Sequence, residues 1–182
     1  MSAAMLTDLP LSKVYQFIEP GPVLLLSTSL PGHKPNVMPV SWHMMLEFEP
    51  PLIACVVGAA NHSFGALRQS GSCVLAVPPA SLAQTVVGVG NCSGADTDKF
   101  GVYNLTPLPA SRVSAPLIGE AIVNLECKVK DTRGVSSYGM FVLECVKAWQ
   151  NHALINEPTL HHRGYGRFGI TSEEITLKSR MR

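Results

Sequence analysis

The sequence predicts a mainly β protein with short helices, built as an antiparallel barrel or sandwich. About six or seven runs of apolar and β-branched residues have the length of strands and end at turn-forming residues. The helical segments between them are short. A regular alternation of strands and helices, which would indicate a parallel sheet, does not occur in the sequence.

The first third of the chain contains the predicted elements that lead to a candidate site. Ser12 caps a short helix over Ser12–Phe17, and Pro22–Ser29 forms the first strand. The turn residues of Leu30–Pro35 link this strand to the next one as a hairpin. The next strand is expected to run without a break over Asn36–Pro51, where two consecutive prolines stop it.

Polar residues on the Asn36–Pro51 strand indicate more than a simple core strand. Strand side chains alternate between two faces, which places Asn36 on one face and Ser41 and His43 on the other. A buried polar group without a partner costs roughly 1–3 kcal/mol. Pro39 has no N–H for a ladder and belongs at an edge, a bulge or a ligand contact. The stretch is therefore either an edge strand with one face in water or a strand that meets a ligand.

A second candidate site follows the next buried strand, Leu52–Val57. A loop over Gly58–His62 leads to a short helix, Phe64–Gln69, with Ser63 as its predicted N-cap. Free N–H groups at the start of a helix, the Ser63 hydroxyl and Arg68 about one turn further on are suited to a phosphate. The alternative is a solvated surface helix with an ordinary cap.

The second half of the chain is expected to contain two long strands and a long irregular segment. That segment spans residues 88–118, and a loop of such length is uncommon unless it covers a site or packs on a partner. Lys99 lies within it and is a second candidate cation. The other predicted elements are strands at Cys73–Val77, Glu120–Lys130, Tyr138–Trp149 and His161–Phe168, and helices at Ser81–Val87 and Ser172–Arg180.

Composition and charge limit the classes of partner. A chain of 182 residues suffices for one well-filled core, so residues 1–182 are expected to form a single domain. A net charge of +1 with 15% charged residues leaves no basic surface for nucleic acid or an anionic membrane. The 46% hydrophobic content favours apolar surface buried between subunits. Neither a secretory signal nor a membrane span is recognised, so a cytoplasmic location is expected.

Motifs for other kinds of chemistry are weak. The five cysteines lack C-x-x-C spacing and are expected to be reduced thiols, mostly in the core. The adjacent His161 and His162 have no further ligand at metal-binding spacing, so no metal site is expected. Gly88, Gly90 and Gly94 lack the spacing of a dinucleotide fingerprint. The sequence also lacks the G-x-S-x-G elbow of a serine hydrolase.

A series of motifs occurs in a fixed order across residues 20–150. It consists of P-G-P-V-L-L-L-S-T-S, N-V-M-P-V-S-W-H, E-P-P-L-I-A, N-H-S-F-G-A-L-R, D-T-D-K-F with a following L-T-P, and A-P-L-I-G-E-A-I-V-N-L-E-C-K. This ordered series resembles the flavin reductase-like family, in particular its flavoredoxin-type members. The match is weaker after Trp149, and the resemblance assigns no role to Cys92.

The resemblance implies an FMN-binding split β-barrel, antiparallel and of Greek-key type, usually a homodimer with the flavin near the subunit interface. The residues implied to line the isoalloxazine ring are Asn36, Val37, Met38, Pro39, Val40, Ser41 and Trp42. The residues implied to hold the phosphate are His62, Ser63 and Arg68, and those implied to close the site are Lys99 and Phe100. Pro39 departs from the family pattern, in which Thr or Ser is frequent, so a hydroxyl contact is lost there.

Three functional interpretations follow from the resemblance. The preferred one is an NAD(P)H-dependent flavin reductase, in which a nicotinamide stacks transiently on the flavin and passes a hydride to it. The second is a flavoredoxin-like electron-transfer protein with tightly bound FMN and a redox protein partner. The third is a non-catalytic barrel that lacks flavin. Hydride transfer between the two rings requires no side-chain acid or base, so no catalytic residue is named.

Overall fold

Eight strands form one antiparallel sheet in the computed structural model, which describes residues 6–18, 20–171 and 173–178. The strands are β1 (Leu6–Asp8), β2 (Leu24–Thr28), β3 (Asn36–Val40), β4 (His43–Glu47), β5 (Leu52–Val56), β6 (Ser72–Val77), β7 (Pro107–Leu108), β8 (Leu117–Ile118), β9 (Val123–Asp131), β10 (Met140–Asn151), β11 (Leu160–His162) and β12 (Phe168–Ile170). The helices are α1 (Tyr15–Ile18), α2 (His62–Ser70), α3 (Ala83–Gly90), α4 (Lys99–Val102) and α5 (Val135–Tyr138), with single 3-10 turns at Leu11–Lys13 and Ala80–Leu82.

The main sheet has the strand order of a Greek key. Its path is β3-β2-β6-β9-β10-β5-β4, and β1 also pairs with β10. β6, β9 and β10 are successive neighbours, and β5, which precedes them in the chain, lies beside β10. β3 and β4 stand at opposite ends of the path although only Ser41 and Trp42 separate them in sequence. The sheet therefore curls until its ends approach each other, which confirms the predicted antiparallel, Greek-key architecture.

Two apolar layers pack on the central strands of this curled sheet. β2 and β6 are buried along their whole length, as their continuous apolar sequences predict. One face, which includes Leu24, Leu26 and Phe141, forms the main core. On the other face, Leu25 packs in a second cluster with Val86 of α3. This second layer places α3 against β3, so the chain that follows α3 lies beside the end of the sheet.

The predicted single strand over Asn36–Pro51 is wrong, because the structure divides it into β3 and β4. β3 pairs with β2, whereas β4 pairs with β5 at the other end of the sheet. The chain bends between them at Ser41 and Trp42. The change of partner, rather than a proline or glycine, ends β3. Both strands lie at the ends of the sheet path, as the edge-strand interpretation of Pro39 requires.

Two further predictions in the middle of the chain are corrected. α2 begins at His62 with Asn61 as its N-cap, so Ser63 is not the cap but a buried residue of the first turn. The segment 88–118 is less irregular than expected, because it contains the end of α3, then α4, and the β7–β8 pair. The two long strands of the second half are confirmed as β9 and β10, which pair with each other.

The C-terminal region also differs from its prediction. The expected strand over His161–Phe168 is a hairpin of β11 and β12 that turns through Gly164–Gly166, three residues with positive φ. Of the helix predicted over Ser172–Arg180, residues 173–178 form no regular structure, and the rest lies outside the described residues. None of the described helices combines the length and apolar character of a membrane-spanning helix.

Candidate functional site

A cleft of about 300 Å³ opens beside β3, where four segments of the chain meet. β3 ends the sheet path, so its outer edge has no neighbouring strand within the described ranges. The start of α2, the chain after α3 and the start of α4 approach this edge instead. The residues that line the cleft are Asn36, Met38, Pro39, Ala60, Asn61, His62, Ser63, Val89, Gly90, Asn91, Cys92, Ser93, Gly94 and Lys99.

Asn36 connects β3 to the first turn of α2. Its Nδ2 donates a 2.8 Å hydrogen bond to Ser63 Oγ, and both residues are buried. Asn36 Oδ1 is also buried but has no hydrogen-bond partner in the part of the chain that the structure describes. A buried acceptor without a donor is costly, so a ligand N–H or O–H in the cleft would stabilise this arrangement. Among the described residues, the hydrogen bond to Ser63 therefore satisfies only one end of the Asn36 side-chain amide.

Two glycines after α3 allow the chain to lie close against β3. A Cβ atom at Gly90 would lie 3.0 Å from Pro39 Cγ, and one at Gly94 would overlap the Asn36 side chain. Any side chain at Gly94 would therefore displace Asn36 from the cleft. The spacing of these glycines in the sequence did not reveal this close approach of two segments.

Lys99 brings a buried positive charge to the cleft. Only 4% of its surface is exposed, and its Nζ donates a 2.7 Å hydrogen bond to the Val89 carbonyl oxygen. Burial lowers the pKa of Lys99, while the negative charge of an ionised Cys92 would raise it. An ammonium group has three N–H donors, and one protein acceptor is found for it among the described residues. The remaining donors are suited to an anion in the cleft.

The position of Lys99 is fixed by the residue before it. Asp98 caps α4 by accepting a 3.2 Å hydrogen bond from the Gly101 N–H through Oδ1. Its other oxygen pairs with Lys34 Nζ at 2.7 Å, which ties α4 to the turn between β2 and β3. Hydrogen bonds from Lys34 and Gly101 lower the pKa of Asp98. The cap therefore keeps its charge and holds the first residue of α4 over the cleft.

A second cleft, of about 330 Å³, continues along the end of β3. It shares Pro39, Gly90 and Asn91 with the first cleft, so the two form one groove. Its other lining residues are Val23, Val40, Ser41, Val86, Val87, His162, Gly166 and Phe168. The groove is thus polar and positively charged near α2 and more apolar near Ser41. Sequence reasoning missed the contribution of the C-terminal hairpin, because its motifs matched the family less well.

Eight of the twelve predicted site residues line this groove: Asn36, Met38, Pro39, Val40, Ser41, His62, Ser63 and Lys99. Val37 and Phe100 instead pack into the second apolar cluster. Trp42 is 72% exposed at the bend between β3 and β4, outside both clefts. Val37 alternates with lining residues along β3, and its side chain therefore points to the core.

Arg68 does not lie beside the other predicted phosphate residues. It is exposed in the last turn of α2 and does not line either cleft. It lies six positions after His62, which is about 9 Å along the helix axis. Its side chain leaves the helix about 140° away from that of Ser63. The cation that the fold brings to the start of α2 is Lys99, which is distant in sequence.

The described residues contain no group of three or more His, Cys, Asp or Glu side chains arranged to hold a metal ion. Within the same residues, the groups that line the groove include hydrogen-bond donors, one acceptor without a partner and a buried ammonium. Such a set is suited to an organic anion rather than to a cation.

The curled Greek-key sheet with a groove along its open edge is a split β-barrel. A structure of an FMN-binding domain of a flavin reductases-like enzyme from Shewanella baltica has the same fold, with a TM-score of 0.90 over 98% of this chain and 100% of that one, at 23% identity. Flavoredoxin of Desulfovibrio vulgaris superposes with a TM-score of 0.77 over 97% and 93% of the two chains, at 19% identity.

Sequence comparison defines the family directly. A profile of the flavin reductase like domain matches residues 18–169. An uncharacterized protein of Archaeoglobus fulgidus is 30% identical over 148 residues, which are 78% of this chain and 84% of that protein. The chain belongs to the flavin reductase like domain family.

Proposed function

We propose that this chain binds FMN and acts as an NAD(P)H-dependent flavin reductase. The observation that supports this most directly is the groove beside β3. There the buried Lys99 ammonium and Asn36 Oδ1, which has no partner in the described part of the chain, meet the start of α2. Membership of the flavin reductase like family supports the same cofactor. FMN, when bound, would supply a ring that accepts and passes on a hydride.

The charged end of the groove is suited to the FMN phosphate. The first N–H groups of a helix have no partner within the helix and carry its positive dipole end. In α2 these groups belong to the first-turn residues His62 and Ser63, which line the cleft. Lys99, which lines the same cleft, adds a full positive charge. These groups would bind and orient the phosphate, and the Asn36–Ser63 hydrogen bond would hold the first turn of α2 against β3.

The apolar end of the groove is suited to the isoalloxazine ring. Pro39 and Val40 of β3 line the second cleft together with Val86 and Val87 of α3. These side chains would pack on the ring and exclude water from it. The Ser41 hydroxyl lies at the end of β3 and would meet the polar edge of the ring. The chain then acts by positioning, and a nicotinamide co-substrate would stack on the ring face that the groove leaves open.

We also propose that the functional unit is a homodimer. Met44 and Leu46 of the end strand β4 are 58% and 45% exposed, and Trp42 and Phe48, which directly flank this strand, are 72% and 56% exposed. A contiguous apolar edge of this kind is unusual on a monomer and favours a second copy as its cover.

A cytoplasmic location remains a prediction. The alternative function, electron transfer to a redox protein partner, uses the same groove and cofactor.

The test of the proposed function is optical. Purified protein should be yellow or should quench FMN fluorescence on titration, and NADH or NADPH added in air should bleach the flavin bands and be consumed. Flavin binding without any response to either nicotinamide would favour the electron-transfer alternative. If the protein shows neither flavin bands nor quenching, only the non-catalytic barrel is left and the proposal is refuted.

A further inference from the structure

Cys92 is the one cysteine that reaches the groove. The other four, Cys55, Cys73, Cys127 and Cys145, lie in strands with at most 1% of their surface exposed. Burial raises the pKa of the Cys55 thiol, which keeps it in the unreactive protonated form. Cys92 follows α3, is only half-buried and lines the first cleft. Among the five thiols it alone combines access with a place in the candidate site.

The surroundings of Cys92 hold its sulfur in a defined position. Sγ–H donates to the Gly88 carbonyl oxygen at 3.6 Å and lies 3.7 Å from Tyr103 Oη. Tyr103 Oη donates to the same carbonyl oxygen at 2.8 Å. Lys99 lines the same cleft and lies near enough to interact electrostatically with Cys92, and a cation close to a partly exposed cysteine is a recurring feature of reactive thiols.

An independent observation indicates that this cleft takes a ligand. Asn36 lines the same cleft, is only 6% exposed, and its buried Oδ1 lacks a partner in residues 6–18, 20–171 and 173–178. The volume beside Cys92 is about 300 Å³, so any group attached to the sulfur would occupy space that a ligand of Asn36 and Lys99 needs.

We propose that Cys92 is a site of reversible thiol modification, at which a small disulfide adds to Sγ and closes the cleft to flavin. This inference rests on the proposed flavin binding. The Cys92 thiolate attacks one sulfur of the incoming disulfide, a new S–S bond forms, and the old S–S bond breaks. The leaving thiolate takes the electron pair, and the proton from Sγ passes to solvent or to that thiolate. Cys92 is oxidised, the leaving thiol is reduced, and an excess of thiol reverses the step.

Modification of Cys92 and binding of flavin should therefore be mutually exclusive. An adduct would lie between β3 and the start of α2, where the phosphate end of the flavin is expected. A bound flavin would in turn cover the sulfur and slow its modification. The device would make flavin binding sensitive to the ratio of disulfide to thiol around the protein.

The experiment uses oxidised glutathione as the modifying disulfide and FMN fluorescence quenching as the readout. Flavin-free wild-type protein is treated until mass spectrometry shows one adduct, and FMN is titrated before treatment, after treatment and after reduction with dithiothreitol. We expect one adduct, on Cys92, a loss of FMN affinity of at least about tenfold, and full recovery on reduction. Prior loading with FMN at a concentration far above its Kd should slow adduct formation, and the slowing should increase with the FMN concentration.

The Cys92→Ser protein is the matched control, compared with itself before and after treatment. Whatever its FMN affinity, oxidised glutathione should not change that affinity. An equal loss in Cys92→Ser, an adduct on another cysteine, or a wild-type adduct that leaves FMN affinity unchanged would each overturn this inference while flavin binding stands. Untreated wild type that quenches no FMN fluorescence would refute the proposed function and this inference with it.

Discussion

Lys99 is the residue on which the phosphate end of the proposed site most depends. Replacing it with Met removes the buried charge but keeps most of the side-chain volume. Charge-assisted hydrogen bonds contribute roughly 1.5–3 kcal/mol, so Lys99→Met should weaken FMN by about 10- to 100-fold. Riboflavin, which lacks the phosphate, should bind with nearly unchanged affinity. Parallel fluorescence titrations with the two flavins measure the difference.

Arg68→Gln is the matched control for Lys99→Met, because it removes one positive charge from the far end of α2. Its FMN and riboflavin affinities should both equal those of the wild type. Equal losses of both flavins in Lys99→Met would mean that Lys99 acts through the fold. If Arg68→Gln selectively lowered the affinity for FMN, the phosphate would instead bind at Arg68, as the sequence predicted.

Glu126 is a second residue with a large local role, far from the groove. Its side chain is fully buried on β9 and accepts hydrogen bonds from the Ser111 N–H at 3.0 Å and the Trp149 indole N–H at 2.7 Å. Arg112 and Val113 add two further backbone donors. Burial acts to raise the pKa of Glu126, but these hydrogen bonds outweigh it and lower that pKa below its usual value. The carboxylate thereby anchors the proline-rich loop to the sheet.

Glu126→Gln should lower the free energy of unfolding by roughly 1–3 kcal/mol near neutral pH, because an amide N–H₂ would face N–H donors. A depressed pKa stabilises the fold above the ordinary glutamate pKa of about 4.3, and this contribution is lost as the pH falls through the folded-state value. The difference between wild type and variant should therefore shrink below about pH 4. Urea unfolding at neutral and acid pH measures it.

Glu144→Gln serves as the control for the carboxylate on β9, since it removes an ion pair with Lys130 that is partly open to solvent. Such surface pairs contribute about 0–1 kcal/mol. The anchoring role of Glu126 would be contradicted if both variants lost a similar free energy of unfolding. It would also be contradicted if the loss in Glu126→Gln were the same at acid pH as at neutral pH.

At the scale of elements, the groove depends on how closely the chain after α3 approaches β3. Gly94→Ala should weaken FMN and riboflavin alike, by about tenfold, because the new methyl group displaces Asn36 and would lie 2.8 Å from His62 Cδ2. The effect on both flavins separates it from Lys99→Met. Flavin titrations and the urea midpoint together show whether the site or the fold has changed.

Gly65→Ala is the corresponding control within α2, where a Cβ atom meets nothing within 4 Å. Alanine favours a helix over glycine by roughly 0.5–1 kcal/mol, so this variant should be slightly more stable and bind FMN as the wild type does. If Gly94→Ala behaved like Gly65→Ala, the close packing of the two segments would not matter for flavin binding.

At the scale of the whole molecule, the exposed apolar edge of β4 predicts association. Sedimentation equilibrium at micromolar concentration should give a dimer, and the pair Met44→Glu with Leu46→Lys should convert it to a monomer, because charged groups oppose burial of that edge. The control pair, Val102→Glu with Tyr138→Lys, changes two apolar residues outside β4 that are at least as exposed as Met44 and Leu46. Monomeric wild type, or dissociation by the control pair alone, would count against this interface.

Local patterns were sufficient for the fold class. The apolar runs Pro22–Ser29 and Leu52–Val57 contain the observed strands β2 and β5, because burial of a strand is recorded in its own residues. The division of Asn36–Pro51 was not readable in the same way. Its break at Ser41 and Trp42 has no proline or glycine and arises only because β3 and β4 pair with strands at opposite ends of the sheet.

The candidate site, like the fold, was predictable only in the parts that depend on local residue patterns. Residue type and spacing, which are local properties, were enough to show that β3 and the start of α2 carry unusual polar groups. Which cation joins them depends on how distant segments pack. Arg68 is close in sequence but lies more than a turn along α2, whereas Lys99 is distant in sequence and reaches the cleft because α3 packs on β3. Contacts between distant segments depend on strand pairing and helix packing, which no local pattern encodes.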